Sequence, residues 1–335
     1  MMARKVSIAF QTDKTPAEYI ALAKLVDGYD FDVVSVYNDA PYHPSYGPLL
    51  LMAPHIQRAR MGPAVVSPFR MHPIDIAANT ALLAGLAAGG VYIGIARGAW
   101  LAEHGIHEPQ RPIAAMREAI DIIQRLLSGS SGGYHGDNYR IAEHVKAPYP
   151  LPDGEIPVMI GTWGPKLAAL GGEIADEVKV GGSANPDLAP IIRGYINEGE
   201  RRVNRELGSV GLVMGAVTVV DEDRDLARRA AREAVALYLP VVAPLDPTLE
   251  VDEELLVRIG KHVEKGERGA AGKLISDGLL ERFALAGNVN DLIRQAQALF
   301  DAGAGRVEFG TPHGLDPKNG VRLIGERVLP ALKKN

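Results

Sequence analysis

The sequence predicts an α/β chain closed as a (β/α)8 TIM barrel, with an insertion after strand four and a helical insertion after strand seven. Three observations predict it. Short apolar runs alternate with amphipathic helical segments along the 335 residues. The runs are continuously apolar, as strands of a parallel sheet are when helices cover both faces. Ala9 to Lys14, after the first run, contains no glycine, so the phosphate-binding fingerprint of an open dinucleotide-binding sheet is missing. Eight such units at this length favour closure over an open doubly wound sheet.

The elements follow in order. Residues 6–10, VSIAF, form the first strand, and Thr15-Pro16-Ala17-Glu18 reads as a capping box with proline at the first helical position. Tyr19, Leu22, Ala23 and Val26 keep the spacing of one buried helix face, and Gly28 lies near its end. Strands are then expected at 31–37, 61–66, 91–96, 157–160, 177–181, 212–220 and 306–310, and helices at 46–57, 73–86, 113–127, 165–174, 188–206, 223–238, 288–302 and 317–329. Two segments break the rhythm. Residues 129–155 form a glycine-rich excursion with a hairpin or strand at YHGDNYRI, and residues 244–286 are charged and helix-like. Both are candidate lids, because long insertions in barrels usually sit on the loops that carry the active site. The whole of 1–335 reads as a single domain with these two insertions.

Composition excludes several classes. With 47% apolar and 23% charged residues the chain can bury a large core, and disorder is excluded. A net charge of -5 leaves no basic footprint for nucleic acid or a membrane surface, so small molecules are the expected partners. The chain has no cysteine, which removes disulfides, thiol nucleophiles and thiolate metal sites and fits a cytoplasmic enzyme. The N-terminus is too polar for a signal peptide. Ile76 to Ala96 is long enough to span a bilayer, but Asn79, Thr80 and Gly89-Gly90 divide it into a helix and a strand.

One stretch carries chemistry. Met159 to Lys166, MIGTWGPK, ends an apolar run in glycine and starts a helix with proline. In a barrel it is a loop at the C-terminal face, where first-turn N–H groups and the helix dipole make an anion site. Proline and glycine also mark ordinary βα turns, which is the competing reading. The next strand ends in a second such turn, Gly181-Gly182-Ser183-Ala184-Asn185-Pro186, so two neighbouring loops are expected to offer donors to one phosphate.

The segments YIALAKLVDGYDFDVVSVYND, RARMGPAVVSPFRMHPIDIAANTALL, GGVYIGIARGAWLAEHGI, PVMIGTWGPKLAALGGEIAD and LLERFALAGNVNDLIRQAQALFDAGAGRVEFGTPHG resemble the bacterial luciferase-like superfamily. Within it, the chain is most similar to coenzyme F420-dependent methylenetetrahydromethanopterin reductases, mainly through the C-terminal FGTPHGLDPKNGVRLIGERVLPAL. The resemblance covers most of the chain and implies a TIM barrel, a homodimer and a deazaflavin or flavin at the C-terminal mouth. It places the cofactor phosphate on Gly161, Thr162, Trp163, Gly164, Pro165 and Lys166 and on Gly181 and Gly182. It implies a non-proline cis peptide at Ala64-Val65, a cofactor-facing pair at Asn38 and Asp39, and pocket residues Arg97, Gly98 and Trp100.

The sequence departs from that pattern where protons are handled. The family's strand-one glutamate and its aspartate after strand four correspond to Ala9 and Ala99, and a methyl group performs no general acid work. Glu103, or Gln11 and Asp13, are the compensating candidates, and His313 in GTPHG is expected at the mouth. The other histidines lack zinc spacing, so no metal is expected. The reading is an F420-dependent oxidoreductase that moves a hydride to or from a small organic substrate. An FMN-dependent monooxygenase is the alternative, and a non-catalytic cofactor-binding protein is a third.

Overall fold

The computed structural model describes residues 4–334. The chain opens with β1 (Lys5–Phe10), α1 (Pro16–Asp27), β2 (Val33–Val36), α2 (Tyr46–Met52), β3 (Arg60–Pro63), α3 (Pro73–Ala84), β4 (Ile93–Ile95) and α4 (Pro112–Leu127). Next come a hairpin, β5 (Tyr134–His135) with β6 (Arg140–Ile141), and then β7 (Val158–Gly161), α5 (Pro165–Ile174), β8 (Glu177–Gly181), α6 (Leu188–Arg202) and β9 (Gly211–Val220). Five short helices follow: α7 (Arg224–Val235), α8 (Leu239–Val242), α9 (Glu253–Glu264), α10 (Arg268–Lys273) and α11 (Asp277–Phe283). The chain finishes with β10 (Ala284–Gly287), α12 (Val289–Asp301), β11 (Arg306–His313), α13 (Pro317–Leu323) and α14 (Leu329–Lys333).

Eight parallel strands run in the order β3-β2-β1-β11-β9-β8-β7-β4. Single bridges from Met61 to Val91 and from Val66 to Ile95 join the two ends, so the ring is nearly closed. The expected capping box is present, with Thr15 and Glu18 bonding each other's backbone, and α1 buries Tyr19, Leu22, Ala23 and Val26. Burying each of the larger apolar side chains stabilises the fold by about 2 kcal/mol. The Ala64-Val65 peptide is cis, as the resemblance implies.

The two irregular segments take different forms. The first lies between α4 and β7, and its hairpin folds back along α4. Glu118 accepts the backbone N–H groups of Asp137, Asn138 and Tyr139 at 3.2, 2.9 and 3.0 Å, and Tyr139 Oη donates to Pro68 O at 3.0 Å. The second differs from the helical insertion expected at 244–286. It begins earlier, since α7 belongs to it, and it ends in a strand: β10 pairs in parallel with Val217–Val220 of β9. The physical reason is the length of β9, which has ten residues and leaves its last turn of pleat free to pair. Ala227, Ala231, Val235, Leu239, Ile259, Phe283 and Ala286 give this segment its own core.

Candidate active site

The barrel interior changes character along its axis. At its N-terminal end Val33, Tyr92, Met159 and Val213 pack as a buried layer. Arg306 joins them, bonding Glu177 at 2.5 and 3.1 Å, with its guanidinium 5.8 Å from the Tyr92 ring centre. One pleat higher, Glu308 accepts from Ser35 Oγ at 2.7 Å and bonds Lys179 Nζ. Burial alone would raise the Glu308 carboxyl, but the Lys179 and Arg306 charges outweigh it and hold the group below the ordinary carboxylate range. Sequence reasoning missed this network. Its signal was present: Lys179 in EVKVG and Glu308 in RVEFG are charges inside strands that otherwise read as buried.

Above these charges the inward positions carry small side chains or none. Gly161, Gly181 and Gly310 are the next inward positions on β7, β8 and β11, and Ala96 follows β4. A Cβ at Gly161 would lie 3.3 Å from Ala96 Cβ and 3.3 Å from both methyls of Val65. Val65, Ala96 and Gly161 therefore meet as one apolar surface, packed closely enough that a side chain at 161 would press on both neighbours. A Cβ at Gly310 would lie 2.4 Å from Tyr37 Oη, so glycine there admits the Tyr37 phenol to the mouth.

The rim is built from strand ends. Asp39 accepts from Gln11 Nε2 at 3.0 Å, while Asn38 is turned to its own loop, where Oδ1 accepts the Ser45 N–H at 2.8 Å. Asn38 is thus occupied structurally. Arg97 does not face the mouth as a free cation either. It forms a two-pronged pair with Glu108 at 2.5 and 2.6 Å, and Gly98 supplies the positive φ of 101° that turns the chain there. Trp100 meets Tyr238, just past α7, at 6.4 Å between ring centres, which brings the second insertion to the loop after β4. Glu103 is exposed on a 3-10 turn and takes no part in these contacts. Asp13 is paired with Lys14 at 2.5 Å.

His313 is buried at the end of β11, its ring 5.2 Å from Phe10, and its Nε2 has no partner among the described residues. Burial pulls its pKa down to about 4, so the ring is neutral at pH 7. This side chain packs; it does not stand open at the mouth.

The two glycine-rich turns are not equivalent. In the first, Thr162 Oγ1 accepts the Gly164 N–H at 2.9 Å, and no side chain caps α5. Pro165 has no N–H, so the amides of Lys166 and Leu167 are the donors left at the helix start, beside the exposed Lys166 ammonium. Trp163 is a brace, donating Nε1 to Gly181 O at 2.9 Å and packing against both cores. In the second turn the expected phosphate donors are already used: Gly182 and Ser183 both donate to Gly215 O, at 2.7 and 3.1 Å. Beyond them Asn185 bonds Asp246 at 2.9 Å, Thr248 at 2.8 Å and Arg282 at 3.0 Å, fastening the second insertion to the barrel.

The family model described as luciferase-like monooxygenase matches residues 3–306. The chain belongs to that family. Similar relatives include the 5,10-methylenetetrahydromethanopterin reductase of Archaeoglobus fulgidus, 29% identical over 338 aligned residues covering 98% of this chain and 100% of the relative. The F420-dependent glucose-6-phosphate dehydrogenase of Nakamurella multipartita is 25% identical, with 95% and 93% covered. The solved coenzyme F420-dependent tetrahydromethanopterin reductase of Methanopyrus kandleri superposes with a TM-score of 0.88 at 25% identity, covering 99% of this luciferase-like chain and 100% of that one.

Proposed function

We propose that this luciferase-like chain is an oxidoreductase that moves a hydride between coenzyme F420 and a small organic substrate at the C-terminal mouth. One observation carries the reading: an apolar surface of Val65, Ala96 and the side-chain-free Gly161 lies directly before an uncapped helix start. That combination fits a planar ring attached to a phosphate, and a relative and a solved structure, covered over 93% and 100% of their lengths, are named for F420. The bound deazaflavin would supply a two-electron hydride carrier. The chain supplies the rest. Val65, Ala96 and Gly161 present an apolar face and keep water from one side of the ring. The Lys166 and Leu167 amides and the Lys166 ammonium take the phosphate. Asp39, held by Gln11, is a rim carboxylate just past the end of β2.

Ala9 and Ala99 carry no proton, and their relatives' names already span a pterin and a sugar phosphate. In keeping with the resemblance, we propose a homodimer, which light scattering of the purified chain tests.

The deciding experiment is a pair of fluorescence titrations of ligand-free protein, with F420 and with FMN. Saturable quenching of F420 with little response to FMN is expected. Preference for FMN moves the protein to the monooxygenase reading, and binding of neither removes the phosphate site.

A further inference from the structure

The buried charges beneath the mouth take no part in holding the phosphate or the ring face. Glu177, Arg306, Glu308 and Lys179 alternate in sign along the barrel axis, and their partners fix the order. Arg306 lies against the lowest layer through Tyr92. Glu308 Oε2 reaches Ser35 Oγ at 2.7 Å and Ser7 Oγ at 3.4 Å. Lys179 bonds the other oxygen of Glu308 and sits 5.4 Å from the centre of the Tyr37 ring, two residues further toward the mouth than Ser35. The ammonium is therefore the mouth-side end of the column. The next inward positions on its own strand and on that of Glu308 are Gly181 and Gly310, so Tyr37 is the side chain that separates it from the mouth. A buried ion pair is weak ground for stability, since apolar residues of similar volume often serve as well or better.

We propose that Lys179 makes the mouth hold the reduced, electron-rich form of its ring cofactor more tightly than the oxidised form, with Tyr37 fixing the ammonium beneath that apolar surface. The inference rests on the reading that the mouth binds F420. Coulomb's law in a water-poor interior gives the nearest charge the largest influence, and Lys179 is nearer to the ring than Glu308. The carboxylate opposes it from further away, so the expected discrimination is modest, about tenfold.

The test measures dissociation constants of the full-length protein for oxidised F420, by fluorescence quenching, and for reduced F420, by anaerobic competition. The wild type is expected to favour the reduced form about tenfold, which is an upward shift of about 30 mV in the potential of the bound two-electron couple. Lys179→Arg keeps the cation and should keep the ratio within about threefold. The double variant Lys179→Gln, Glu308→Gln removes both charges without leaving one unpaired, and should bring the ratio to about one while the oxidised affinity changes little. An unchanged ratio in a double variant with native circular dichroism overturns the inference. So does a wild-type ratio of one or below, which needs no variant. Binding of neither form by the wild type defeats the F420 reading itself, and this inference with it.

Discussion

The turn after β7 and the turn after β8 are both glycine-rich, both end a barrel strand, and both precede a helix, yet they are spent differently. After β8 the amides of Gly182, Ser183, Ala184 and Asn185 are all taken, by Gly215 O, Arg282 O and Ser183 Oγ. That turn anchors the second insertion. After β7 only Thr162 and Gly164 are satisfied within the protein, and the start of α5 remains open. A loop is able to bind ligand only with groups the fold has not already used.

Four perturbations break or sharpen that contrast. Gly161→Val presses on Ala96 and Val65, which a Cβ there would already meet at 3.3 Å; F420 affinity is expected to fall about 100-fold or more, and stability by about 1 to 3 kcal/mol, as titration and a denaturant melt would show. A valine that leaves affinity intact removes that surface from the site.

The end of β11 should resemble the anchoring turn, contributing stability and no binding. Its His313 is neutral when folded, with a pKa of about 4 against an ordinary 6.5. The unfolded chain takes up the proton first as pH falls, so this stability is complete above pH 6.5 and is lost toward pH 4. Denaturant melts should show a loss of about 2 kcal/mol from this group between pH 6.5 and about 4.5. His313→Asn, which tolerates the φ of 75° at that position, should flatten that slope and leave F420 binding alone.

Gly182 sits at a φ of 81°. Gly182→Ala is expected to cost about 1 to 2 kcal/mol in urea unfolding while F420 affinity stays within twofold. Lys166→Ala should do the reverse on a smaller scale, weakening F420 about three- to tenfold with unchanged urea stability, and the difference should shrink as salt rises. Equal effects of the two substitutions on binding would erase the distinction between the turns.

Much of this was legible in the residues. The capping box of α1, the barrel strands and the helix start at Pro165 follow from local rules that act within a few positions of the chain. The position of the cis peptide at Ala64-Val65 and the placing of the cofactor site came instead from the resemblance. Local rules say nothing of partners outside a residue's own segment. The resemblance places Asn38 and Arg97 at the cofactor; in the fold Asn38 Oδ1 accepts the Ser45 amide and Arg97 pairs with Glu108. The segment 284–287 read as part of a helical insertion because its partner, the end of β9, lies more than sixty residues earlier.

The sequence by itself therefore determined the repeating units, their closure into a barrel and the helix start at Pro165. Hydrophobic period, caps and turn residues act locally and do not depend on the rest of the fold. Only the tertiary structure decided which glycine-rich turn remains open, that Lys179 and Glu308 meet beneath the mouth, and that Gly161 faces Val65 and Ala96 across it. Hydrogen bonds and contacts between distant strands are settled by register and proximity in space, and neither is written in any single segment.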